Sequence, residues 1–182
     1  MRALILSGVM VATAGLGVVL VAQTPAAGTD AVAGSLRKSW AAAKKNIVAS
    51  AEVMPEANYS FKPVDSVRSF GAILAHVAGA NYVICSAAAG EKSPHGEGDF
   101  EKTATTRAAI IKVLAESMAY CDKAYAGLND KTVGTAVEMP FGMGAETRAG
   151  ALVTNIGHLN EHYGNLVTYF RIKGIVPPSS RR

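Results

Sequence analysis

The sequence has no cluster of basic residues. Its 18 lysines and arginines exceed its 14 aspartates and glutamates by four, which gives a formal net charge of +4. The longest basic runs are pairs, such as Lys44-Lys45 and Arg181-Arg182. A nucleic-acid-binding protein gathers such residues in a patch or along one helix face. The composition therefore predicts no nucleic-acid partner.

Charged residues are also missing from most of the N-terminal region. An uncharged apolar stretch follows Arg2 and ends at Ala22, and small residues suited to signal peptidase come next. This layout is typical of a secretory signal peptide. We predict a signal peptide over residues 1–27 and one domain over residues 28–182, exported to the periplasm or secreted. An uncleaved membrane anchor is the alternative, because the stretch approaches the ~20 apolar residues of a spanning helix.

Three segments have the apolar periodicity of amphipathic helices, and a fourth, the second along the chain, is bounded by typical capping residues. The predicted helices are Asp30–Glu52, a second from an N-cap at Asp65 to about Ala89, a third from about Thr103 to Ala126, and a fourth from Glu146 or Thr147 to Lys173. Together they predict an all-α fold, a four-helix bundle that is antiparallel or partly crossed. The connection after Gly127 is long for a bundle, so we expect it to cover one end. A short strand from Thr135 to Glu138 is an option within it.

No lysine, arginine, aspartate or glutamate lies between Ser69 and Gly90. A helix without charged residues cannot present an ordinary solvated face, so we expect the second helix to be the most buried. A transmembrane span is the alternative. It is disfavoured because Asn81, Ser86 and His76 would be costly in lipid. We therefore expect no stable membrane span once the signal peptide is removed.

Histidines on two predicted helices are the candidate metal ligands. His158 and His162 are four residues apart, which offsets them by about 40° around a helix and about 6 Å along it, so their rings can converge on one ion. They lie on a polar stripe with Asn155, Asn165 and Tyr169, beside the apolar face. Bundle proteins build their metal sites from such inward-facing stripes.

His76 strengthens this interpretation because it lies in the charge-free helix. A buried imidazole requires a polar partner, and a hydrogen-bonded core histidine is the alternative. We predict that His76, His158 and His162 bind one divalent metal ion. Zinc is the default, and nickel or iron is compatible with the same ligands. Three protein ligands leave coordination positions open for water or substrate.

Other polar residues are weaker candidates. Asn81, Glu161 or Tyr169 could orient a reacting group, although Glu161 points about 100° away from His162 and is expected to be solvated. His95 lies in a polar loop and is interpreted as a surface residue. The segment from His158 to His162 also fits the H-x-x-E-H pattern of inverzincin proteases, with Glu161 as base. That pattern leaves His76 without a role.

The histidine-bearing segments resemble the DinB-like (DinB/YfiT) superfamily. The matching stretches are VRSFGAILAHVAGANYVICSAAAGE, which contains His76, and NIGHLNEHYGNLVTYFRIKGIVPPSS, which contains the other two histidines. The resemblance implies a four-helix bundle with one metal ligand in the second helix and an HxxxH pair in the last. Many members have HRGQ where this chain has HYGN, from His162 to Asn165. Some relatives are similar to transferases or isomerases that use low-molecular-weight cytoplasmic thiols, which an exported protein would not meet.

The chain has only two cysteines, Cys85 and Cys121. Exported proteins meet an oxidising compartment, so we predict a disulfide between them. Both lie late in their helices, which requires a parallel or crossed arrangement of the second and third helices, or some offset of the pair. Two separate buried thiols are the alternative.

Three functions are consistent with these features. The first is a metal-dependent hydrolase or transferase acting on a small molecule. The second is a non-catalytic periplasmic bundle that holds a metal ion or small ligand. The third is a structural bundle whose histidines bind nothing. The sequence leaves the substrate unidentified and leaves a homodimer open.

Overall fold

The computed structural model describes residues 30–181, and the predicted signal peptide lies outside the described residues. The described residues form four α-helices, two short 3₁₀ turns and one β-hairpin. The helices are α1 (Ala31–Val53), α2 (Phe70–Ala89), α3 (Arg107–Ala126) and α4 (Arg148–Ile172), the strands are β1 (Ala136–Met139) and β2 (Gly144–Thr147), and the 3₁₀ turns are Glu56–Asn58 and Pro178–Ser180. The predicted four-helix bundle is confirmed, with a small antiparallel sheet added to it.

The helices α1 and α3 run antiparallel, as do α2 and α4. At one end of the first pair, Arg107 donates to the Glu52 carbonyl at 3.2 Å. At one end of the second pair, Arg148 donates to the Ala88 carbonyl at 2.9 Å. Near the other end of that pair, the Tyr169 hydroxyl donates to the carbonyl of Arg68 at 2.6 Å.

The helices α2 and α3 run parallel. Asn81 donates to Ser117 at 3.1 Å, and one turn further along both helices Cys85 and Cys121 form a disulfide with a Cα–Cα distance of 5.4 Å. The four helices therefore have up-down-down-up directions, and the connection between α2 and α3 returns along the bundle. This arrangement confirms the predicted disulfide and explains how two late cysteines meet.

The charge-free helix α2 is the buried centre of the bundle. It is long and apolar enough to span a membrane by length and composition, yet 72% of its most apolar 18-residue window is buried inside the protein. Phe70 packs edge-on against Phe170 of α4 at a ring separation of 5.4 Å. The burial of α2 agrees with the prediction made from its lack of charged residues.

Two helix starts differ from the sequence-based expectation. The sequence predicts Asp65 as the N-cap of α2, but the cap is Ser69, whose hydroxyl accepts from the Ala72 amide at 3.3 Å. Asp65 instead pairs with Lys62 on an exposed turn at 3.0 Å. The third helix begins at Arg107 instead of Thr103, because Thr106 provides its N-cap. Both differences arise because a later hydroxyl side chain satisfies the free amides of the first turn.

The long connection after α3 folds into the β-hairpin. Strand β1 includes three of the four predicted strand-like residues, from Ala136 to Glu138, and Met139 at its end is buried. The N-terminus of α4 follows β2 directly, where Thr147 accepts from the Gly150 amide at 3.0 Å. The hairpin lies beside the last turns of α2, whereas His76 is in the second turn of that helix.

Candidate metal centre

Three imidazole rings converge between α2 and α4. The Nε2 atom of His158 lies 3.1 Å from Nε2 of His76 and 3.1 Å from Nε2 of His162. One ligand nitrogen from each ring lies within 4.8 Å of the other two. We call these residues the histidine cluster. The structure brings together all three histidines that the sequence predicts as ligands.

The helical repeat explains how α4 presents two of these rings. His158 and His162 are one turn apart, so their side chains project from the same side of the helix, with ring centroids 4.4 Å apart. His162 is buried and His158 is partly buried. Because α2 crosses α4 in the antiparallel direction, the second turn of α2 brings His76 opposite this pair.

Burial makes the neutral form of each imidazole the favoured one. Loss of solvation, followed by the nearby His162 and His76 rings and Arg68, lowers the pKa of His158 to about 3. Loss of solvation is also the first cause that lowers the pKa of His76 and of His162. Neutral imidazoles have a free nitrogen lone pair, which is the form that binds a metal ion.

The spacing of the nitrogens fits a single ion. Zinc binds imidazole nitrogen at about 2.0–2.1 Å, so two ligands of one tetrahedral ion lie roughly 3.3 Å apart. The two 3.1 Å separations in the histidine cluster are close to that value. Three neutral nitrogens facing one another cannot satisfy all their lone pairs by mutual hydrogen bonds, since each pair needs one donor. The cluster could therefore bind a metal ion, and its donors alone do not select which metal.

Polar groups hold two of the three rings from behind. The Nδ1 atom of His76 lies 3.2 Å from Oε1 of Glu101. The Nδ1 atom of His162 lies 3.4 Å from the side-chain amide of Asn165. The Nδ1 atom of His158 is buried and has no hydrogen-bond partner among the described residues. Side-chain contacts therefore orient the rings of His76 and His162, whereas the ring of His158 has no such contact at Nδ1 among the described residues.

An open cleft of about 800 Å³ adjoins the cluster. Its polar lining residues include His162, Arg68, Glu101 and Asn165. Ile73 is among its apolar lining residues. Because His162 is part of both the cluster and the cleft wall, a small molecule in the cleft would lie beside the predicted metal.

The other candidate residues have different placements. Asn81 is buried and bonds to Ser117 and Asn155, so its side chain is committed to the core. Tyr169 lines the cleft, but its hydroxyl donates to the Arg68 carbonyl. Glu161 is exposed at the cleft rim, as expected for a solvated charge.

His95 is exposed, in agreement with its interpretation as a surface residue. Its ring packs on Tyr82, with centroids 4.4 Å apart, and so helps to hold its loop against α2. It lies outside the histidine cluster.

Sequence reasoning missed Glu101 and Arg68. Arg68 donates from Nε to both carboxylate oxygens of Glu101, at 3.0 and 3.1 Å, and Glu101 contacts His76. Neither residue lies on a helix with one of the histidines, so no helical period connects them to the site. Their only signal is that each is a charged residue close to one end of a helix.

Comparisons with known proteins support the same architecture. A model of the DinB superfamily matches residues 39–166. A DinB-like protein from Bacillus cereus has a TM-score of 0.67 at 19% identity, over 80% of this chain and 95% of that one. A DinB-like protein from Bacillus subtilis has a TM-score of 0.62 at 17% identity, over 81% and 99%.

An enzyme of known activity is also among the similar structures. The mycothiol-dependent maleylpyruvate isomerase has a TM-score of 0.61 at 14% identity, and the match covers 74% of this chain and 60% of that one. At these identities the likeness shows the fold alone. A search of curated proteins finds no match.

Proposed function

Because the chain belongs to the DinB superfamily, we propose that it is an exported metalloenzyme that binds one divalent ion through His76, His158 and His162. The ion is zinc by default, and nickel and iron are also compatible with these ligands. The substrate is a small molecule held in the adjacent cleft, and the reaction is a hydrolysis or a group transfer.

The observation that carries this proposal is the convergence of three Nε2 atoms in a partly buried site. Nε2 of His158 lies 3.1 Å from Nε2 of each of the other two histidines. Burial lowers the pKa of all three imidazoles and so favours their neutral form, as metal ligands must be. A closed structural zinc site has four protein ligands, whereas three leave room for a substrate or water.

In this proposal the three histidines bind the ion, and the residues that line the cleft bind the substrate. When bound, the ion would supply Lewis acidity, which polarises a substrate or lowers the pKa of water. Arg68, Asn165 and Thr168 are polar residues of the cleft lining and are available to bind substrate. Ile73, an apolar residue of the lining, would contact the less polar part of the substrate.

The likeness to a mycothiol-dependent isomerase supports an enzymatic role in general terms. The proposed export argues against the same thiol dependence, because low-molecular-weight thiols of that kind belong to the cytoplasm. We therefore propose a small-molecule substrate for this chain but no dependence on a low-molecular-weight thiol.

A non-catalytic bundle that binds a metal ion or small ligand is the second candidate. It is favoured by the placement of the two acids in the cleft. Glu101 is held by Arg68 and His76, and Glu161 makes no side-chain hydrogen bond among the described residues. Glu101 is thus committed to Arg68 and His76, and Glu161 has no second group among the described residues that orients it as a general base, as many catalytic bases have.

Metal content measured by mass spectrometry tests the proposal. The untagged protein is expected to contain about one divalent ion per chain, and His76→Ala is expected to lose it because only two ligands remain. His95→Ala is the matched control, since His95 is exposed and outside the cluster. Equal metal content in all three proteins, or none in the wild type, would contradict the site.

Turnover separates the enzyme from the binder. The metal-loaded protein would be assayed against panels of esters, amides and transferable groups, with chelator-treated protein as the control. Chelator-sensitive turnover supports the enzyme, and stoichiometric ligand binding without turnover supports the second candidate. Export is checked by N-terminal sequencing of protein from a periplasmic fraction, where the first residue is expected near position 28.

A further inference from the structure

The connection between α2 and α3, residues 90–106, brings an acidic side chain to the histidine cluster. We call this connection the crossover segment. Its Glu101 has Oε1 at 3.2 Å from Nδ1 of His76. Arg68, just before α2, donates from Nε to both carboxylate oxygens, at 3.0 and 3.1 Å. The carboxylate is therefore fixed between a cation and the outer nitrogen of one predicted ligand.

This contact determines which nitrogen of His76 is free. A carboxylate accepts hydrogen bonds, so it favours the tautomer of His76 that has its proton on Nδ1. The lone pair is then on Nε2, the atom that faces His158 at 3.1 Å. Carboxylates that accept from a metal-binding histidine fix its ring orientation and raise its basicity as a ligand.

A glycine contact holds the crossover segment against α2. Gly79 follows His76 by three residues, and a side chain there would overlap the Gly98 carbonyl oxygen. Gly98 has φ +69°, and a Cβ atom on it would lie 2.7 Å from the Gly79 carbonyl oxygen. The two backbones therefore meet where only glycines fit, one helical turn from His76 and three residues before Glu101.

Aromatic packing supports the same placement. Tyr82, one turn beyond Gly79 on α2, packs against His95 and Phe100 of the crossover segment at ring separations of 4.4 and 5.9 Å. Phe100 immediately precedes Glu101. The contacts with α2 thus fix the path of the segment over the residues that lead to Glu101.

We propose that Glu101 is a positioning residue of the metal centre, which holds His76 in the metal-binding tautomer and couples metal affinity to the seating of the crossover segment on α2. This inference rests on the proposed metal site, and it adds a role for a connection that has no metal ligand of its own.

Zinc affinity, measured by competition with a chromogenic chelator at fixed pH, tests the role of Glu101. Loss of a group that orients a metal ligand typically costs about 10–100-fold in affinity, and we expect this loss for Glu101→Ala. Glu101→Gln keeps a carbonyl acceptor but loses the charge, so its loss should be smaller. Asp99→Asn is the matched control, because Asp99 is an acid of the same segment that pairs with Lys102 at 2.6 Å.

A second readout separates positioning from general stability. Long-range ¹H–¹⁵N spectra of the metal-free proteins report the tautomer of His76. The wild type and Asp99→Asn should have the proton on Nδ1, whereas Glu101→Ala should populate both tautomers. The free energy of unfolding of the metal-free protein, measured in urea, should differ little between Glu101→Ala and Asp99→Asn, because the Glu101 side chain is partly exposed.

A pair of glycine variants tests the coupling to the crossover segment. Gly98→Ala should push the segment away from α2 and lower zinc affinity. Gly96→Ala is the control, because Gly96 also has a positive φ of +58° but has no atom within 4 Å of the added Cβ. Backbone strain is thus similar in both variants, and only Gly98→Ala disturbs the contact with Gly79.

The outcomes distinguish this inference from the metal site itself. If the wild type binds no zinc, the proposed function fails and this inference fails with it. If the wild type binds zinc but Glu101→Ala and Gly98→Ala bind it as tightly as their controls, the positioning role alone is overturned. Weaker binding in both, with the altered tautomer in Glu101→Ala, supports it.

Discussion

The side-chain amide of Asn155 donates to Oδ1 of Asn81 at 2.9 Å, which joins α4 to α2 through the centre of the bundle. Oδ1 of Asn155 accepts from the Tyr125 hydroxyl at 3.0 Å, and the side-chain amide of Asn81 donates to the Ser117 hydroxyl at 3.1 Å. A buried polar chain therefore connects three helices. It lies one turn from His158, so it also helps fix the part of α4 that presents the histidine cluster.

Asn155→Ala is expected to destabilise the metal-free protein by about 2–4 kcal/mol. The substitution leaves Oδ1 of Asn81 without its donor, and an unsatisfied buried polar group costs roughly 1–3 kcal/mol in addition to the lost packing. The measurement is urea unfolding followed by circular dichroism. Asn160→Ala on the same helix is the control, since Asn160 is exposed and should change stability by less than about 0.5 kcal/mol. Equal stabilities would show that the chain of bonds contributes nothing.

The metal-free protein should lose stability as the pH falls from 6.5 toward 3, in part because of His158. Its pKa is about 3 in the folded protein and 6.5 as the reference value for the unfolded chain. Between these values the unfolded chain binds a proton that the folded protein does not, so the free energy of unfolding decreases as the pH falls, by up to about 1.4 kcal/mol per pH unit.

Unfolding free energies between pH 4 and 6, measured with a chelator present, check this dependence. His158→Ala should have a shallower pH slope than the wild type, whatever its absolute stability. His95→Ala should retain the wild-type slope, because His95 is exposed and away from the cluster. A wild-type slope in His158→Ala would mean that this imidazole is not held neutral by the fold.

The sequence predicts the helices and the three histidines because their signals are local or periodic. His158 and His162 share a face through the helical repeat, and His76 is unusual because its helix lacks charge. The predicted N-cap of α2, Asp65, lies four residues before the observed one, Ser69. Both residue types are good N-caps, and only the folded turn selects between them. Which residue caps the helix depends on tertiary contacts, and a local sequence pattern does not report these.

Glu101 could not be predicted for a related reason. Its position depends on the backbone contact between Gly79 and Gly98, which are distant in the sequence and have no shared periodicity. The parallel direction of α2 and α3 is likewise a property of the long crossover segment. Sequence patterns report which residues share a helix face, whereas the path of a loop follows from tertiary packing.

The disulfide between Cys85 and Cys121 should contribute substantially to stability. It closes a loop with a sequence separation of 36 residues between two parallel helices. The loop-entropy model assigns such a crosslink about 4 kcal/mol, because it restricts the unfolded chain. We expect the double variant Cys85→Ala/Cys121→Ala to unfold at a lower urea concentration than the oxidised wild type. Added reductant should destabilise the wild type and leave the double variant unchanged, so a wild type insensitive to reductant, with two free thiols by mass spectrometry, would contradict the crosslink.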